Sequence, residues 1–126
     1  MIGVSCLFDI ILYEHNAGKT PIDDYLNDLY NKNHKDDLIR IRTYIKQLSE
    51  HGFNLNNARP NAFSQVDKRH KIYELRPGKH RIFFIFIKGE EKFVLLHAFR
   101  KKSKKTPKKE IDRAIKEAQN YRERKQ

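Results

Sequence analysis

The sequence predicts an α+β fold: a small, twisted, mainly antiparallel sheet of about four strands with helices packed on one face, in the order β-α-α-β-β-β-α. Three observations predict it. Apolar residues recur at helical spacing in three separate segments. Three runs rich in β-branched and aromatic residues follow one another after residue 70, and the breaks between them are short enough to join antiparallel neighbours. The chain has 126 residues, of which 38% are hydrophobic, with eight Phe and six Tyr. That is enough apolar area for one core and little more, so residues 1–126 read as a single domain.

The elements follow in order. Residues 6–13 (CLFDIILY) are dominated by β-branched and aromatic side chains and read as a strand, broken by Asn16-Ala-Gly18. Thr20 suits an N-cap, Pro21 the first helical position, and Asp23 and Asp24 the positive end of the helix dipole. Ile22, Tyr25, Leu26, Leu29 and Tyr30 then form one apolar face. After a polar break at residues 31–34, Leu38, Ile41, Ile45 and Leu48 make the stripe of a second helix, which Gly52 ends. Residues 53–65 show no period, hold Pro60 and four Asn, and read as a loop. Residues 70–76, 81–87 and 92–99 read as a three-stranded meander. Thr106-Pro107 starts a last helix with Ile111, Ala114, Ile115, Ala118 and Tyr121 on one face, and residues 122–126 are expected to fray.

The formal net charge is +11, and it is unevenly placed. Residues 68–109 hold fifteen Lys/Arg against three Glu, while the remainder is nearly balanced. A basic excess confined to one third of a small domain predicts an acidic partner: nucleic acid, an anionic membrane or an acidic protein. Membrane binding is disfavoured, because no helix joins a strongly apolar face to a basic one rich in bulky aromatics. No run is long enough to span a bilayer. Asp9 and Glu14 interrupt the apolar N-terminal stretch, so no signal peptide is expected and the protein is read as cytoplasmic. The single cysteine, Cys6, excludes an internal disulfide and a cysteine-based metal site. The six His show no metal-ligand spacing, and no phosphate-binding glycine loop, nucleophile elbow or dinucleotide fingerprint occurs. No cofactor or metal is expected.

Strand alternation narrows the basic region to candidate site residues. If Tyr73, Leu75, Phe84 and Phe86 lie under the helices, Glu74, Arg76 and Arg81 project from the opposite, open face. A surface ion pair is the plain alternative. The basic run from Arg100 to Lys105 is either a linker into the last helix or a set of cations hung over that face. With RNA as partner, cleavage by the ribose 2′-OH needs a base, cations for the phosphate and an acid for the leaving 5′-oxygen. Glu74 is the candidate base, since a carboxylate is ionised at neutral pH. Arg76 and Arg81 suit the phosphate, because a guanidinium contacts two oxygens at once. Lys101 or Lys102 adds charge or donates the proton. Lys71, Lys79, His80, Arg100, Lys104 and Lys105 are candidate RNA contacts. His97, among apolar neighbours, reads first as a satisfied core histidine.

Taken together, Tyr73-Glu-Leu-Arg76, His80-Arg81 opening an aromatic strand, Leu95-Leu-His-Ala-Phe-Arg-Lys-Lys102, and Thr106-Pro107 before a helix with Ala114 resemble the phage-derived HigB-like branch of the RelE/ParE toxin superfamily. The resemblance runs along nearly the whole chain. It implies a RelE-like fold and the toxin of a type II toxin–antitoxin system: a metal-independent endoribonuclease (mRNA interferase) acting on mRNA in the ribosomal A site. It implies a HigA-like helix-turn-helix antitoxin as partner, with operator DNA bound only through the toxin–antitoxin complex. Glu74, Arg76 and Arg81 fall on the strand positions that carry catalytic charges in RelE-type toxins, and Lys101 and Lys102 match the basic pair after the last strand. The catalytic Tyr or His near the C-terminus of some relatives has no counterpart here, since Tyr121 is expected to pack within its helix. The superfamily also includes ParE-type toxins that act on DNA gyrase. A non-catalytic gyrase inhibitor or a basic RNA-binding module are therefore the alternatives to the nuclease.

Overall fold

A computed structural model describes residues 8–124. Strand β1 (Asp9–Leu12) leads to helices α1 (Pro21–Asn31) and α2 (Lys35–His51), then a 3-10 turn (Gly52–Asn54) and a single-turn helix α3 (Leu55–Ala58). Strands β2 (Phe63–Asp67), β3 (Ile72–Leu75), β4 (His80–Ile87) and β5 (Lys92–Arg100) follow, and α4 (Lys108–Arg124) closes the chain. The five strands form one sheet in the order β1-β5-β4-β3-β2. Among the described residues only β1 and β5 run parallel; the other pairs are antiparallel. The α+β class and mainly antiparallel sheet agree with expectation.

The helix ends follow their local chemistry. Thr20 has extended backbone at the N-cap of α1, Pro21 takes the first turn, and Asp23 and Asp24 face the dipole. Gly52 ends α2 with φ +58, a left-handed conformation that strains any residue with a Cβ. A Cβ there would also lie 2.5 Å from the Phe8 ring, so this corner requires glycine twice over.

Two expectations about the sheet are corrected. The segment read as a loop ends in a strand, β2, so the sheet has five strands. Only Phe63 of β2 is buried, and the register slips between Gln65 and Asp67, which hides the alternation that marks a strand. The helices also cover both faces, not one. Ile22, Leu29, Leu38, Ile41 and Leu48 of α1 and α2 pack with Leu75, Ile82, Phe84, Phe93 and Leu95. Ala114, Ala118 and Tyr121 of α4 pack on the opposite face with Ile72, Phe83, Ile85, Val94 and Leu96. The reason lies in β4, where every residue from His80 to Ile85 is buried. A strand apolar on both sides needs cover on both sides. Phe83 and Ile85, which a strand period of two puts on the same face as Arg81, are what α4 covers.

A bulge refines the last strand pair. Ile82 faces Ala98 but Phe84 faces Leu95, so β5 carries one extra residue opposite Phe83. Leu96 and His97 consequently both reach the α4 side. His97 is fully buried there, with Nδ1 2.5 Å from Glu117 and Nε2 3.0 Å from Glu110, so it is a satisfied core histidine. Cys6 lies outside the described residues, as do residues 125 and 126. Residues 122–124, expected to fray, are helical, and Arg124 bonds the Glu14 carbonyl.

Candidate active site

Glu74 sits mid-strand in β3, opposite Ser64 of β2 and Phe83 of β4. Strand alternation aims it away from α1 and α2, as expected, but the carboxylate is only 2% exposed. A buried charge needs partners, and Glu74 has three. Its Oε2 accepts a 3.0 Å bond from Arg76 Nε and lies 3.9 Å from Arg81 Nε. Its Oε1 accepts a 2.6 Å bond from the Thr106 hydroxyl. Arg76 is held a second time by Ser64 Oγ, 2.6 Å from Nη2.

Arg81 is fixed more firmly still. Its Nη1 donates to the carbonyls of Gly78 and His80, both at 2.8 Å, so the side chain braces the turn between β3 and β4. Burial pulls the Arg81 pKa below the ordinary arginine value, Glu74 opposes that shift, and neighbouring Arg76 adds to it. The guanidinium stays charged, since arginine titrates far above neutrality. It is a pre-oriented cation in a poorly solvated position, the setting in which electrostatic contacts are strongest.

Arg81 forms the back of a cleft. One wall is the β3–β4 turn, with Gly78 and Lys79; the other is the segment leaving β5, with Arg100, Lys101, Lys102, Ser103 and Lys104. The walls are joined where the Lys101 N–H donates to the Lys79 carbonyl at 2.7 Å, which extends the strand pairing beyond β4. The cleft is shallow and open, with a volume of about 500 Å³, and its lining includes six cations and no carboxylate. Like-charged side chains so gathered make a focused positive field suited to a polyanion.

The structure thus brings Glu74, Arg76 and Arg81 into one cluster, and Arg81 into one cleft with Lys79, Arg100, Lys101, Lys102 and Lys104. Lys105 is exposed beside the cleft but does not line it. Two predicted RNA contacts lie elsewhere. Lys71 is in the β2–β3 turn, at the far end of β3. His80 is 2% exposed; its Nδ1 is 2.7 Å from the Tyr25 hydroxyl of α1 and its Nε2 3.6 Å from Asp37 of α2. The sequence reading missed Ser64 and Thr106. Ser64 becomes visible only once residues 63–67 are known to pair with β3. Thr106 signals only a helix start in the sequence, and nothing local signals its reach to Glu74.

No described helix is long and apolar enough to cross a membrane. Residues 25–119 match the family described as "Phage derived protein Gp49-like (DUF891)". That span includes the whole Glu74 cluster and cleft. Among curated proteins, none matches the chain.

Proposed function

Because the chain belongs to the Gp49-like family, a toxin-like family of phage-derived domains within the RelE/HigB-like toxins, whose members imply an antitoxin partner, we propose that it is a HigB-type endoribonuclease of a type II toxin–antitoxin system, cutting mRNA on the ribosome and so stopping translation. The observation that carries this reading is the cleft itself: six cations without a carboxylate in the lining, backed by an arginine that a buried glutamate holds in place.

In the proposed reaction the 2′-oxygen attacks the adjacent phosphorus, the bond from phosphorus to the 5′-oxygen breaks, and a cyclic phosphate remains. Negative charge builds on the phosphate oxygens. Arg81 and Arg76 stabilise it in concert with Lys101 and Lys102, as preorganised donors do in other acyl- and phosphoryl-transfer sites. Glu74 takes the 2′-OH proton through Oε1 once substrate displaces the Thr106 hydroxyl, and the Lys101–Lys102 pair returns a proton to the leaving oxygen. Lys79, Arg100, Lys104 and Lys105 track the flanking phosphates. A HigA-like helix-turn-helix antitoxin would cover this cleft, and the pair would bind operator DNA through the antitoxin.

A second reading, a non-catalytic toxin such as a ParE-like gyrase inhibitor or a plain RNA binder, is favoured by one observation: both Glu74 oxygens are already engaged. Mapping mRNA 5′-ends after induction separates the two. Cleavage predicts new 5′-hydroxyl ends within coding sequence, lost in Glu74→Gln while ribosome binding persists. Growth arrest without new ends sinks the nuclease reading.

A further inference from the structure

A second surface at the other end of the sheet has the makings of a ligand site. Phe53, in the turn after α2, is 41% exposed, although its ring touches Tyr73, Phe86, Phe63 and Phe93 at centroid distances of 5.0 to 5.9 Å. Phe53, Tyr73 and Phe86 line one side of a cavity of about 560 Å³. Arg69, Lys71, Lys88 and Arg122 line the rest together with His70. No carboxylate lines it; Asp67, the last residue of β2 before the turn, is occupied by the His70 ring and backbone. Lys71 adopts φ +55, a left-handed conformation uncommon for lysine, in the turn that carries Arg69 and His70.

An exposed ring backed by two half-buried ones and ringed by cations matches single-stranded nucleic acid in both of its chemical parts. Bases stack on aromatic faces whatever their sequence, and the phosphates between them meet the cations. We propose that this aromatic cavity is a second RNA-contact site, distinct from the Arg81 cleft, in which an unpaired base stacks on Phe53 while Lys71, Lys88, Arg69 and Arg122 hold the adjacent phosphates. An acidic protein segment would use the cations and need no stacking face, and an anionic membrane would need a broader apolar surface than three rings. The site does not depend on cleavage: it would bind RNA whether the Arg81 cleft cuts, or only holds, its ligand.

The chain has no Trp, which makes a local reporter available. Phe53→Trp preserves an aromatic ring at the site and introduces the only indole. Titration with single-stranded oligouridylate should quench that fluorescence, and an abasic oligomer of the same length should bind more weakly and leave it nearly unquenched. Phe53→Leu, which keeps apolar packing, should weaken oligouridylate binding about tenfold without weakening the abasic oligomer. Lys71→Gln and Lys88→Gln should weaken both and lower the salt slope by about 0.7 each. Saturating RNA that leaves the indole unquenched would overturn the proposal. So would equal quenching by the abasic oligomer, or tighter binding of anionic vesicles or an acidic peptide than of RNA.

Discussion

The Thr106 hydroxyl donates a 2.6 Å hydrogen bond to Oε1 of Glu74. Glu74 belongs to the sheet, whereas Thr106 follows the lysine-bearing segment that walls the cleft, so this contact fastens the wall to the sheet. A hydrogen bond to a charged, buried acceptor contributes about 1.5–3 kcal/mol. Thr106→Val keeps the shape of the side chain and removes the donor. Its stability should fall by that amount in urea melts, and toxicity on induction should fall with it as the wall loosens. A variant with wild-type stability would show that the bond does not hold the wall.

Lys101 and Lys102 test the chemistry more cleanly than the arginines do. Arg81→Ala would strip the brace from the β3–β4 turn and leave Glu74 with one fewer partner, so loss of activity there is mixed with a stability loss of about 2–3 kcal/mol. Lys102 is exposed and Lys101 half-buried, and among the described residues neither side chain forms an ion pair. The double variant Lys101→Gln/Lys102→Gln should keep stability within about 0.5 kcal/mol of wild type. The proposed mRNA cleavage should nevertheless collapse, and the salt slope of RNA binding should flatten by about 1.4, near 0.7 for each lysine. Unchanged cleavage would remove both lysines from the site.

The buried His97 is held between two carboxylates of α4, Glu110 and Glu117, and Arg113 bonds Glu117 in turn at 3.2 Å. This polar clamp fixes α4 over Phe83, whose ring packs edge-on against the imidazole. Removing one partner strands the rest in a buried setting. Glu117→Leu should therefore cost about 1–3 kcal/mol, whereas adding His97→Leu to it should recover much of that loss. Thermal melts of the single and double variants decide it; purely additive losses would argue against coupling.

Much of this arrangement is legible in the sequence, and the exceptions have physical causes. Thr20-Pro21, Gly52 and Thr106-Pro107 punctuate the helices because capping and left-handed backbone are local demands. Glu74, Arg76 and Arg81 come together because strand period and a short turn fix their face. What alternation cannot tell is whether a face is covered: Phe83 and Ile85 share a side with Arg81, and only the tertiary packing of α4 makes that side a core with a cleft at its end. The same limit explains His80. Its neighbour Arg81 faces the cleft, so a strand period of two sends His80 to the α1 side, against Tyr25 and Asp37. Lys71 shares the charge of the cleft residues but sits at the far end of β3, a separation that a charge count along the chain does not resolve.

His80 also makes a pH prediction. Burial lowers its pKa below 6.5; Asp37 opposes the shift, and the positive charges of Arg100 and His34 add to it. The Tyr25 hydroxyl beside it is pushed up to about 12, chiefly by burial, so it remains a protonated donor throughout the accessible range. Neutral His80 with its proton on Nε2 accepts from Tyr25 through Nδ1 and turns its N–H toward Asp37. The sign follows from linkage. Below pH 6.5 the unfolded chain binds a proton that folded His80 still refuses, so the unfolded state gains. The contribution of His80 is thus complete above pH 6.5 and declines as pH falls from there through the folded pKa. Urea melts of wild type and His80→Gln at pH 7.5 and pH 5.5 should show a smaller drop for the variant, because glutamine fills the site without titrating. Equal drops in the two proteins would assign the acid sensitivity to other groups and leave His80 a packing residue alone.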